Sequence, residues 1–79
     1  MEVNVVLYAT LTRYHPEGKG NDQFTVKLPQ GATVKDLIEE IGIGENEAKQ
    51  VFIKHKSRPE DHLLQDGDRV AIFPPVAGG

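Results

Sequence analysis

The sequence predicts an α+β roll, one small sheet with a single main helix packed on one face. Three observations carry that expectation. The chain has 79 residues, room for one domain built around one core. Apolar and polar residues alternate with period two in the early part of the chain, over residues 3–11 and 24–28, which is the spacing of strands. Only one stretch, Val34 to Ile41, has helical spacing, and a lone helix covers only one face of a sheet. The other face is left to solvent or to a partner.

The elements follow in order. Val3 to Leu11 is rich in β-branched and aromatic residues, with Val3, Val5, Leu7, Ala9 and Leu11 on one side, so it reads as a buried first strand. Residues 12–22 hold Pro16, Gly18, Gly20 and Asn21, turn formers that predict a loop. Phe24, Val26 and Leu28 alternate with Thr25 and Lys27 until Pro29, giving a second strand that pairs back on the first. Thr33 stands where a helix cap is needed and Asp36 three residues later completes a capping box. Val34, Leu37, Ile38 and Ile41 then line one helix face, Lys35, Asp36, Glu39 and Glu40 line the other, and Gly42 ends the helix. After a polar stretch, Val51-Phe52-Ile53 makes a short strand, Leu63 and Leu64 form a short apolar segment, and Asp66-Gly67-Asp68 turns the chain into a last strand, Arg69 to Phe73.

Composition excludes several kinds of chemistry. Hydrophobic residues make up 38% and charged residues 27%, a globular balance rather than a disordered one. With no cysteine, the chain has no disulfide scaffold, thiolate nucleophile, iron–sulfur ligand or cysteine-bound zinc. Twelve acidic against nine basic side chains leave a net charge of -3, which argues against general affinity for nucleic-acid phosphates. No apolar run approaches the length of a membrane span. The expectation is a soluble, cytoplasmic protein that touches neither membrane nor nucleic acid.

The chain ends Pro74-Pro75-Val76-Ala77-Gly78-Gly79. Two prolines cannot continue a ladder as donors, so residues 74–79 are expected to leave the 1–73 domain as an extended, flexible tail with a reach of about 20 Å. Gly78 and Gly79 have no Cβ, so a narrow channel in another protein can close around them. The group they present is the Gly79 carboxylate, a poor electrophile until a partner activates it, for instance with ATP.

The segment D-G-D-R-V-A-I-F-P-P-V-A-G-G, Asp66 to Gly79, resembles the ending of the MoaD/ThiS group of ubiquitin-like sulfur carriers, and leans to the MoaD side, the small subunit of molybdopterin synthase. The N-terminal V-N-V-V-L-Y-A-T-L, the T-V-K-D-L-I opening the helix and the overall length fit the same group. The resemblance implies a β-grasp fold, a mixed sheet of four to five strands on one main helix. It implies that Gly79 is adenylated by a ubiquitin-activating-like (MoeB/ThiF-like) adenylyltransferase, converted to a thiocarboxylate and presented to an acceptor such as a MoaE-like large synthase subunit. Phe73 then belongs to an apolar docking surface, Pro74, Pro75, Val76 and Ala77 to the threaded tail, and Gly78 and Gly79 to the functional end. No cofactor is bound, since ATP is used by the partner. The chain would be a non-catalytic subunit. Carriers for thiazole synthesis or tRNA thiolation, and a ubiquitin-like binding or conjugation module, are the alternatives.

Other signals have plainer readings. His15, His55 and His62 are widely spaced in polar contexts, which favours three solvent-facing imidazoles over a metal site. Lys54, Lys56 and Arg58 form a basic cluster without interleaved aromatics, and read as a solvated loop. Glu39, Glu40, Glu45 and Glu47 read as the wet side of the helix and its following loop. If Ile72 points inward, Phe73 points outward.

Overall fold

The computed structural model of the protein describes residues 1–44, 46–48 and 50–75. Five strands, β1 (Glu2–Leu7), β2 (Phe24–Lys27), β3 (Gln50–Ile53), β4 (Lys56–Ser57) and β5 (Arg69–Phe73), form one sheet in the order β2-β1-β5-β3-β4. The central pair β1 and β5 is parallel, and every other pairing is antiparallel. One helix, α1 (Val34–Ile41), covers one face. This is the β-grasp arrangement, with the predicted mixed sheet and single main helix.

Local chemistry fixes α1 at both ends. The Asp36 amide donates to the Thr33 hydroxyl at 3.3 Å and the Thr33 amide donates to the Asp36 carboxylate at 2.9 Å, a reciprocal capping box. At the other end Gly42 takes φ 93° while the Ile43 amide reaches back to the Ile38 carbonyl at 3.1 Å, a Schellman closure that only a residue without a Cβ adopts freely. Val34, Leu37 and Ile38 are buried against Val3, Val5 and Leu7 of β1, Val51 and Ile53 of β3, and Val70 and Ile72 of β5.

The register of the central parallel pair is set by the Asp66-Gly67-Asp68 turn. The Glu2 amide donates to the Asp66 carboxylate at 2.7 Å, the Gly67 amide to the Glu2 carbonyl at 2.7 Å, and the Asn4 amide to the Asp68 carbonyl at 2.8 Å. Buried Asp68 accepts in turn from the Gln65 amide at 2.9 Å. Three residues therefore lock the first strand to the last before either can slip.

The first strand is shorter than its alternation suggests. It stops at Leu7, and Ala9–Tyr14 forms a 3₁₀ helix. The Tyr8 amide still donates to the Ile72 carbonyl at 3.1 Å, but on the neighbouring strand Phe73 is followed by two prolines that cannot extend the ladder. The chain turns away there, with Ala9 at φ 54° and exposed. Leu11 is fully buried all the same, carried into the core by a helical turn instead of strand alternation.

Other expectations are corrected alongside it. Lys56–Ser57, read as part of a loop, is a fifth strand that joins β3 through Lys54 and His55. Leu63 makes only an isolated bridge with Thr33, while Leu64 is buried. His15 is not solvent-facing: it is buried, its Nδ1 accepts from the Glu17 amide at 3.0 Å, and its ring meets Phe24 edge-on at 4.9 Å. His62 is half-buried and His55 exposed. Glu47 is not simply wet either, because it accepts from Arg13 and from the Tyr14 hydroxyl, pinning the 3₁₀ helix to the segment that leads into β3. The Tyr14 hydroxyl first, and the Glu47 charge second, push the Arg13 guanidinium above its ordinary range. Glu45 lies outside the described residues.

Candidate functional site

Among the described residues, α1 is the only α-helix, and the face of the sheet opposite it is left open. Alternation along β5 buries Val70 and Ile72 and turns Arg69, Ala71 and Phe73 to this open side. Beside them β1 and the residue following it contribute Val6 and Tyr8, and β3 contributes Phe52. The parallel register that pairs Leu7 with Ile72 places Tyr8 next to Phe73, and their rings stack with centroids 4.4 Å apart and planes 5° from parallel. Phe52 meets Phe73 edge to face at 5.7 Å and 81°. Such pairs contribute about 0.5–1.5 kcal/mol beyond the area they bury. The patch is therefore held together by its own ring packing.

These rings floor a shallow depression of about 650 Å³ whose other wall is Lys54, His55 and Arg69. The outward placement of Phe73 is as the alternation predicts. Tyr8 and Phe52, which complete the patch, were missed as site residues, although the same alternation that buries Leu7 and Val51 aims them outward. The sequence-contiguous basic cluster is divided. Lys54 and His55 line the depression, whereas the Arg58 Nε donates to the Ile53 carbonyl at 3.3 Å. Of the aromatics beside them, Phe52 precedes Lys54 by two residues on β3, whereas Tyr8 and Phe73 come from distant parts of the chain.

Pairing of β5 ends where Phe73 meets Gln50, and Pro74 is half-buried and Pro75 exposed. The chain thus leaves the sheet from within the aromatic patch. Val76, Ala77, Gly78 and Gly79, assigned from the sequence to the threaded tail and functional end, lie outside the described residues. Among the described residues no group of three or more His, Asp or Glu side chains is placed to hold a metal ion, and no helix is long and apolar enough to cross a membrane.

Comparison with known proteins places this geometry. The ThiS family model matches residues 6–79. The molybdopterin synthase sulfur carrier subunit of Chlamydomonas reinhardtii is 36% identical over 94% of this chain and 95% of its own length. Protein RnfH of Pseudomonas fluorescens is 30% identical over 65% of this chain, a match that spans only 57% of that relative. Among solved structures, a Pyrococcus furiosus protein provisionally assigned as molybdopterin converting factor subunit 1 superposes with a TM-score of 0.73 at 31% identity, over 96% of this chain and 99% of that one. A chain of the Amycolatopsis orientalis BexX/CysO complex superposes with a TM-score of 0.60 at 26% identity, over 98% of this chain and 99% of that one. SAMP1 of Haloferax volcanii, at 20% identity and a TM-score of 0.70 over the full length of both chains, shares the fold. With a family model matched over nearly its whole length and a full-length relative of the same kind, the chain belongs to the ThiS family, within the MoaD/ThiS-like superfamily of β-grasp sulfur carriers.

Proposed function

We propose that this protein carries sulfur as a thiocarboxylate on Gly79 and delivers it in the cytoplasm to the synthesis of a molybdenum or tungsten pterin cofactor. The observation that supports it most is the continuity of β5 with the tail. The strand emerges from the aromatic patch at Phe73 and runs directly into Pro74-Pro75, so a partner gripping the open face is led along the chain to Gly79. In this reading residues 1–73 are the body that is gripped, and residues 74–79 the arm that is threaded. The prolines limit the conformations the arm must give up on threading, and Gly78 and Gly79 let a channel close on the backbone. Similarity to the Chlamydomonas reinhardtii molybdopterin synthase sulfur carrier subunit supports the pathway.

The chemistry takes place at one carbon atom. An adenylyltransferase of the ubiquitin-activating type joins the Gly79 carboxylate to the α-phosphate of ATP and releases pyrophosphate. A hydrosulfide-equivalent nucleophile then attacks the acyl carbon, AMP leaves, and the terminus becomes C(=O)S⁻. A large synthase subunit accepts the sulfur, and water restores the carboxylate. The carrier contributes recognition, reach and an accessible acyl carbon, and no side chain of its own acts on the substrate.

Intact mass spectrometry tests this. The chain is incubated with ATP, a sulfur donor and the adenylyltransferase of matched origin, with a Gly79 deletion as control. A gain matching exchange of one carboxyl oxygen for sulfur, absent from the control, is expected. No gain with a demonstrably active adenylyltransferase would move the chain to the binding-module class. Gly78→Trp should block activation at unchanged thermal stability.

A further inference from the structure

The open face is not uniformly apolar, and its polar end is built at a cost. The register of β3 on β4 pairs Ile53 with Lys56, leaving Lys54 and His55 as a two-residue connection. Both have positive φ, 56° and 66°, the geometry of a tight hairpin turn that ordinarily takes Asn-Gly. Strained backbone of this kind clusters at functional sites. Here it sets Lys54 and His55 against the same depression as Arg69.

The charge arrangement points to what they meet. The chain as a whole is acidic, with net charge -3, yet among the described residues no carboxylate lines this depression. Among the described residues the sole ion pair joins Arg13 to Glu47, away from this face, so Lys54 and Arg69 have no anionic partner there. We propose that Lys54, His55 and Arg69 form a selectivity rim that receives an acidic segment of the protein docked on the aromatic patch.

The strand itself acts as a ruler. Arg69 and Phe73 lie on the same side of β5, four residues and so about 13 Å apart, with Phe73 at the tail end. A matching partner carries its carboxylates about 13 Å beyond the surface that covers Phe73, on the side away from the tail channel. Partners lacking that spacing leave two cations desolvated and unpaired, and are disfavoured. The inference rests on the docking reading above, and adds which partner surface fits.

The test measures association of the full chain with the purified adenylyltransferase of matched origin, at low and high salt. Lys54→Glu combined with Arg69→Glu is expected to weaken binding at least about tenfold at low salt, with the difference shrinking as salt screens it. Lys19→Glu, an exposed substitution outside the depression, is expected to change binding less than about twofold. Lys54→Gln with Arg69→Gln, which removes both charges and leaves shorter polar side chains, should fall between. A carbodiimide crosslinker is expected to join the Lys54 Nζ to a partner Asp or Glu, identified by peptide mass spectrometry. Wild-type binding that the reversal leaves unchanged overturns the rim and spares the docking reading. Absence of any wild-type binding overturns both. Binding of a labelled single-stranded oligoribonucleotide that the reversal abolishes would assign the rim to nucleic acid and overturn the proposal.

Discussion

Replacing Lys54-His55 by Asn-Gly should stabilise this protein while removing side chains that line its open face. Both residues are held at positive φ, 56° and 66°, where a non-glycine residue costs about 1–2 kcal/mol. Neither side chain is buried, so little packing is lost on substitution. Gly at 55 removes that position's cost, and Asn at 54 lowers its own because its short polar side chain tolerates the left-handed region. The greater freedom of Gly in the unfolded chain takes back about 0.4–1 kcal/mol. The net gain is about 1 kcal/mol, which for a domain of this size raises Tm by about 4–8 °C. The assay is thermal unfolding followed by far-UV circular dichroism, with a urea titration in which the midpoint rises and the slope does not change. His55→Ala, which keeps a Cβ at positive φ, should give no such gain. A Tm equal to or below wild type for the Asn-Gly variant would refute the strain argument.

Three further outcomes follow from the packing. Leu11→Ala should cost about 2–5 kcal/mol, read as a lower urea midpoint, because Leu11 is fully buried although it belongs to no strand. Thr33→Ala removes the hydroxyl that accepts from the Asp36 amide and should cost about 1 kcal/mol, seen as a drop in Tm. Phe73→Ala removes the ring stacked on Tyr8 and edged by Phe52; the domain should stay folded by circular dichroism while binding to the adenylyltransferase weakens at least about tenfold by titration calorimetry.

Much of the architecture was legible because its signals are local. The helix from Val34 to Ile41 has its cap, its apolar stripe and its glycine stop within ten residues, and β5 has the predicted bounds Arg69–Phe73. The end of β1 was not legible, since Ala9 and Leu11 keep the strand alternation. What ends the strand is the loss of a hydrogen-bonding neighbour at Pro74, distant in sequence. The burial of His15 depends likewise on Phe24 arriving from β2. Lys56–Ser57 carries no strand pattern of its own and becomes a strand only by pairing with Phe52 and Ile53.

By itself the sequence determined the class of fold, the outward direction of Phe73 and the Pro-Pro-Val-Ala-Gly-Gly ending, because each depends on short-range geometry or on the order of residues. Only the tertiary structure decided that Tyr8, Phe52 and Phe73 form one patch and that Lys54 and Arg69 border the same depression. Those residues come from three different parts of the chain. Their meeting depends on strand order and register, which are set by the competition of the whole chain for one core.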